Sequence, residues 1–179
     1  ATLLSYGPDA NAKYITTYFR NSFTIPAGQT ATFTNVDLSI LHDDGAIVYL
    51  NGTEIFRSTE MPGVLGDNSI TFTTPASALA ENTVTNYTLT AAQRALLHDG
   101  VNVLAVEIHQ QSGTSSDISF DMSLTATGTS NGTGGTNVSG ALPAGTTTWS
   151  PANGPYNVTS TVVIPVGSTL VIQPGTSVF

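Results

Sequence analysis

The chain holds 179 residues, with four Lys/Arg against twelve Asp/Glu, 9% charged residues and a formal net charge of −8. A nucleic-acid binder needs a basic stripe to neutralise phosphates, and an anionic membrane surface asks for the same, so both are disfavoured as partners. There is no cysteine, which removes a disulfide framework and a thiolate zinc site, and no run approaches the ~18–20 apolar residues of a membrane-inserted helix.

Residues 1–6 show no basic start followed by an apolar stretch, so any signal peptide is expected to have been removed or to lie far upstream. From Ile15 a strand is predicted. Ile15, Phe19, Phe23 and Ile25 share one parity, with polar Thr16 and Ser22 on the other, which means one buried and one wet face. Pro26-Ala27-Gly28 ends it. Residues 32–41 form the next strand, with Val36, Leu38 and Ile40 inward. Residues 43–56 read as strand, Asn51-Gly52 turn and returning strand, since both turn residues must accept positive φ. Residues 61–68 hold Pro62, Gly63 and Gly66 and predict a loop; residues 84–89 predict a strand.

Residues 90–97 are the one good helix candidate. Thr90 is placed to N-cap it, Gln93 occupies the capping-box position and Gly100 lies just beyond its end. Residues 101–109 return to a strand with Leu104, Val106 and Ile108 on one face. Residues 116–126 alternate most cleanly: Ile118, Phe120, Met122 and Leu124 in, Ser119, Asp121 and Ser123 out. The strand-rich first domain is thus expected to span residues 1–126. Residues 127–137 contain no apolar side chain to bury and predict a Gly/Thr/Ser linker. In residues 138–179 a phrase repeats, Ile164-Pro165-Val166-Gly167 and then Ile172-Gln173-Pro174-Gly175, as short strands broken by turns. That pattern suggests a β-solenoid coil, and about three repeats are normally needed to bury a core. The chain stops mid-pattern, so it is expected to be a fragment, or to pair its last strands with a neighbour.

Several phrases carry a family likeness: Ser5-Tyr6-Gly7-Pro8, residues 13–20, Asp43-Asp44-Gly45 through Asn51-Gly52-Thr53-Glu54, residues 102–110 and residues 115–121. With these, residues 5–125 resemble a module common in secreted bacterial multidomain proteins. More distantly, the chain is similar to the sugar-binding jelly-roll domains of β-galactosidase-type glycosidases. The resemblance implies an all-β fold, an antiparallel galactose-binding-like jelly-roll sandwich, and a non-catalytic, extracellular or cell-surface role beside other domains. The family's Trp-bearing N-terminal strand is not present before Ser5, so either the mature protein is expected to have been clipped or the sandwich to be completed by another chain, by strand addition. The tail from Gly140 resembles the opening coil of a right-handed parallel β-helix. The Thr/Ser/Gly/Asn-rich composition suits secreted bacterial β modules.

Asp43 and Asp44 admit two readings. Adjacent carboxylates with loop carbonyls suit Ca²⁺; equally, Asp caps its own backbone in a turn that Gly45 completes. Glu107 and His109 point away from the Leu104/Val106/Ile108 face, and either line a sugar groove with Asn102 and Gln110 or lie under a loop. Aromatic rings stack on pyranose faces, which nominates Trp149, the only Trp, and Tyr49, opposite Val48 and Leu50. Tyr6, Tyr14, Tyr18, Phe56, Tyr87 and Tyr156 are further candidates, although sandwich aromatics are mostly core. Asp117 and Asp121 read as solvated. The G-x-S-x-G match at residues 128–132 lacks the strand-to-helix turn that hydrolases require. No pair of carboxylates facing across a cleft is nominated, so no catalytic residue is assigned. Sequons occur at Asn51, Asn86, Asn131, Asn137 and Asn157. The two functional readings are a glycan-targeting module and a structural or adhesin subunit that binds copies of itself.

Overall fold

A computed structural model describes residues 4–128 and 135–179. The chain divides into two compact units after Gly128. The G-x-S-x-G serine, Ser130, the Asn131 sequon and residues 129–134 of the expected linker lie outside the described residues.

In the first unit, β1 (Thr16–Ile25), β6 (Gly100–His109), β3 (Gly45–Leu50) and β4 (Thr53–Arg57) form one sheet in the order β1-β6-β3-β4. A second sheet runs β5 (Thr83–Thr88), β2 (Phe33–Asp43) and β7 (Ser119–Gly128), in the order β5-β2-β7. Every pairing is antiparallel. The two inner faces share one apolar core. Val36, Leu38 and Ile40 from β2 and Ala46, Val48 and Leu50 from β3 are fully enclosed, with Ile108 of β6. Full burial of each Val, Leu or Ile contributes roughly 1.5–3 kcal/mol. Phe19 meets Phe120 across the layers at 4.3 Å between ring centroids, and Phe56 meets Tyr87 at 5.6 Å. The unit is an antiparallel β-sandwich, the class expected from the family resemblance.

The hairpin turn is as expected. Asn51 has φ 50° and Gly52 φ 83°, the left-handed region that favours Asn and Gly. The helix is shorter than the eight-residue stretch: α1 covers Ala91–Arg94. Its capping box is formed, with Gln93 N–H donating to Thr90 Oγ1 at 3.3 Å and Thr90 N–H to Gln93 Oε1 at 2.9 Å. Buried Leu89 and Leu97 flank it in the core. Thr127 and Gly128, expected in the linker, instead close β7 against β2 (Asn35 opposite Thr127). Backbone pairing asks nothing apolar of the side chain, so composition concealed the strand's end.

Residues 58–80 fold over the outer face of the four-stranded sheet, where Ile47, Met61 and Ala76 make a second apolar cluster. Arg57 fastens this loop. It pairs with Glu54 through Nε–Oε1 (2.8 Å) and Nη2–Oε2 (2.9 Å) and donates to the carbonyls of Pro62 (2.7 Å) and Asp67 (3.0 Å).

Asp99 ties the loop after β1. Its carboxylate accepts from the N–H of Gly28 and from the N–H (3.2 Å) and hydroxyl (2.7 Å) of Thr30. These bonds, the one from Gly28 foremost, hold its pKa below the usual carboxylate value. The stability they give is therefore present above the unfolded-state pKa near 4 and lost as pH falls through the folded-state value. Asp99→Asn is expected to lower the urea midpoint at pH 7, and its deficit relative to the parent should shrink at pH 3. A deficit equal at both pH values would show that the charge does not matter.

The second unit is built differently. β8 (Thr136–Ala141) pairs with β10 (Tyr156–Val163), and β9 (Thr146–Trp149) with β11 (Thr169–Ile172), both in parallel. Tyr156 also bridges in parallel to Val178. Trp149 stacks on Tyr156, centroids 4.6 Å apart and planes 10° from parallel.

Candidate functional site

A cleft of about 150 Å³ opens on the first unit, lined by Tyr6, Lys13, Tyr14, Thr17, Gln110 and Asp117 and by serine hydroxyls of residues 112–116. Local backbone chemistry builds it. Gly7, at φ 100°, turns the chain so that the Tyr14 ring packs against its α-carbon, and Tyr14 N–H donates to the Tyr6 carbonyl at 3.0 Å. Lys13 is held by its N–H on the Gly113 carbonyl (2.9 Å) and its ammonium on the Ser115 carbonyl. That ammonium lies 5.8 Å from the Tyr6 ring centroid, within cation–π range. Tyr6 is 55% and Tyr14 57% exposed. Gln110 sits where β6 ends. Its N–H donates to the Ile15 carbonyl (2.7 Å), its side-chain amide donates to the Asp117 carbonyl (2.6 Å), and its Oε1 is buried without a partner. Two open aromatic rings beside amide, hydroxyl and carboxylate groups can stack on and hydrogen-bond a polyhydroxylated ligand. The volume is below the ~300 Å³ lower end for drug-sized ligands, a size that suits one ring of a longer chain.

Of the residues nominated from the sequence, Tyr6, Tyr14 and Gln110 meet in this cleft, and Asn102, Glu107, His109, Tyr49 and Trp149 lie elsewhere. Asn102 is fully buried on the inner face of β6, with Leu104, and holds His98 and Gly100 through its side chain. It cannot share a groove with Glu107 and His109, because residues of opposite parity on a strand face opposite sides. His109 is also fully buried. Nδ1 faces the Thr74 carbonyl (2.8 Å) and Thr16 Oγ1 (3.0 Å), and Nε2 meets Glu107 Oε2 (3.0 Å). His109 thus lies beneath the loop that carries Thr74, with Glu107 beside it. Tyr49 is half-buried against Ile47 and Met61. Burial first, and then Glu107 and Glu54, push its phenol up to about 12. Trp149 is 4% exposed in the second unit, its face covered by Tyr156, so it offers no open platform. Tyr6 and Tyr14 stood in the sequence only among several aromatics. The signal that singles them out is the Gly7 turn between them.

A second cluster lies at the β2–β3 corner. Asp43 and Asp44 are buried, Glu81 is exposed, and one carboxylate oxygen from each lies within 4.8 Å of the others. Asp44 Oδ1 accepts from Ala80 N–H (3.0 Å) and Oδ2 from Gln111 N–H (2.8 Å). Asp43 Oδ2 is buried with no hydrogen-bond partner. Burial, followed by the charges of Asp117, Asp44 and Glu81, pushes its carboxyl up to about 6.

No family model matches the sequence, and no curated protein matches it. Among solved structures, the Streptomyces avermitilis α-L-rhamnosidase complexed with L-rhamnose aligns at 19% identity and a TM-score of 0.42, over 70% of this chain and 10% of that one. The Dictyoglomus thermophilum β-D-mannosidase aligns at 15% identity and a TM-score of 0.34, over 56% of this chain and 9% of that one. The chain therefore spans about a tenth of the length of either enzyme. The fold defines its class: an all-β chain led by an antiparallel β-sandwich.

Proposed function

We propose that the first unit is a non-catalytic glycan-binding module of a larger secreted bacterial protein, which it targets to polysaccharide. The observation that carries this is the pair of exposed tyrosine rings, Tyr6 and Tyr14, that line one cleft with Gln110 and Asp117. A flat ring covers the apolar face of a pyranose, while the serine and Asp117 side chains along the same cleft offer hydrogen-bond partners to its hydroxyls. The likeness of residues 5–125 to galactose-binding-like jelly-roll modules supports the reading, as does the export-type composition. No reaction is assigned, since fold alone does not imply chemistry.

Affinity gels and a glycan array are the test. A plant, algal or microbial polysaccharide should retard the full chain. Tyr14→Ala and Tyr6→Ala should each weaken binding about tenfold, the loss expected for roughly 1.4 kcal/mol, with unchanged melting. Silence across all three glycan classes, or full affinity in the double variant, sinks the reading.

A second reading, a structural or adhesive subunit, is favoured by the second unit. Its parallel strands resemble a solenoid coil, and Val163, Ile164, Val166 and Ile172 are 47% exposed or more. Sedimentation showing only monomers at high concentration would remove it.

A further inference from the structure

We propose that Asp43, Asp44 and Glu81 form a divalent-cation site at the β2–β3 corner, with calcium the ion its donors fit. This goes beyond glycan binding and does not rest on it. Three carboxylates bring one oxygen each within 4.8 Å of the others. Oxygens on opposite sides of a calcium ion, each at 2.3–2.6 Å, lie about 5 Å apart, so separations within 4.8 Å suit oxygens that share one ion. The second observation is independent of the cluster's composition. Asp43 is 1% exposed and its Oδ2 has no hydrogen-bond partner. Buried polar atoms are nearly always paired, and an unpaired one points to a missing water or ion. Among the described residues no Lys or Arg pairs with any of the three acids, so their mutual repulsion has no side-chain counter-ion.

The donor set selects the ion. All three ligands are hard oxygens, with no sulfur or imidazole among them, which disfavours zinc. Magnesium demands near-ideal octahedral geometry and keeps several waters, whereas Asp43 and Asp44 are enclosed. Calcium accepts irregular oxygen cages. The site is preorganised by Asp44, whose two oxygens are fixed by the N–H groups of Ala80 and Gln111. The ion would thus join the β2–β3 corner to the chain before β5, and Asp44 ties in the exit of β6 through its bond from Gln111 N–H.

The test is calcium titration of the full chain after chelation, read by calorimetry and by melting. The expected result is a saturable heat and a Tm rise of roughly 5–10 °C at about 10 mM calcium, with a smaller rise for magnesium. Glu81→Gln, at an exposed position, should fold normally and bind calcium at least tenfold more weakly. Asp43→Asn, which removes a buried repulsive charge, should melt no lower than the parent without metal and lose the calcium response. Absence of both heat and Tm shift in the parent overturns the proposal, as does Glu81→Gln binding calcium as tightly as the parent.

Discussion

Asn102→Ala is expected to destabilise the first unit by about 3 kcal/mol. The side chain is fully enclosed and makes four hydrogen bonds. Its Oδ1 accepts from Asn51 Nδ2 (2.9 Å) and His98 N–H (3.1 Å), and its Nδ2 donates to the carbonyls of His98 (2.7 Å) and Gly100 (3.1 Å). Both donors and both acceptor sites of the amide are in use. Truncation strands four partners, each costing about 1–3 kcal/mol where water cannot reach it. Asn51 shares the loss. It also donates to the Leu96 carbonyl and accepts from Val103 N–H, so the hairpin turn, the end of the helical segment and β6 are joined at one point. Asn102→Asp should fare no better, since it sets carboxylate oxygens against two carbonyls. Urea unfolding is the measurement: the midpoint should fall at unchanged slope. Normal stability with lost glycan affinity would return Asn102 to the role its amide first suggested.

Asp44→Asn should cost about 2–3 kcal/mol in the presence of a chelator. The substitution is nearly isosteric, so the effect isolates hydrogen-bond polarity. Both carboxylate oxygens accept from backbone N–H groups, Ala80 on one side and Gln111 on the other. An amide offers one acceptor and one donor, so one backbone N–H must face an NH₂. Thermal unfolding of Asp44→Asn beside Asp43→Asn separates the two neighbours. Only the first should be destabilised, because Asp43 Oδ2 has no bond to lose. Equal effects would contradict this division of roles.

Glu81 and Trp149 show where reading by pattern runs out. Adjacent Asp43 and Asp44 were visible as a pair of hard ligands, but Glu81 arrives from a distant loop that no local period marks. Trp149 was the natural sugar platform by type, yet Tyr156 covers its face. His109 was legible as either groove or sub-loop residue. What decides is Thr74, whose carbonyl reaches it from the covering loop. Asn102 is a different case, since its parity with Leu104 already placed it on the inner face. A polar side chain on that face is a structural hydrogen-bonder before it is a ligand contact.

The alternation of apolar and polar side chains marked, from the sequence alone, the strands near residues 15–25, 32–41, 101–109 and 116–126 and the face that each buries. Asn51-Gly52 and Thr90/Gln93 likewise marked their turn and cap. These are local features, set by φ/ψ preference and by a period of two, and they need only neighbours in the chain. Tertiary structure alone decided which polar groups are enclosed, which two tyrosines stand open beside Gln110, and that Glu81 meets Asp43 and Asp44. Those facts depend on segments far apart in the chain arriving at the same place, and no periodicity encodes where a loop comes to rest.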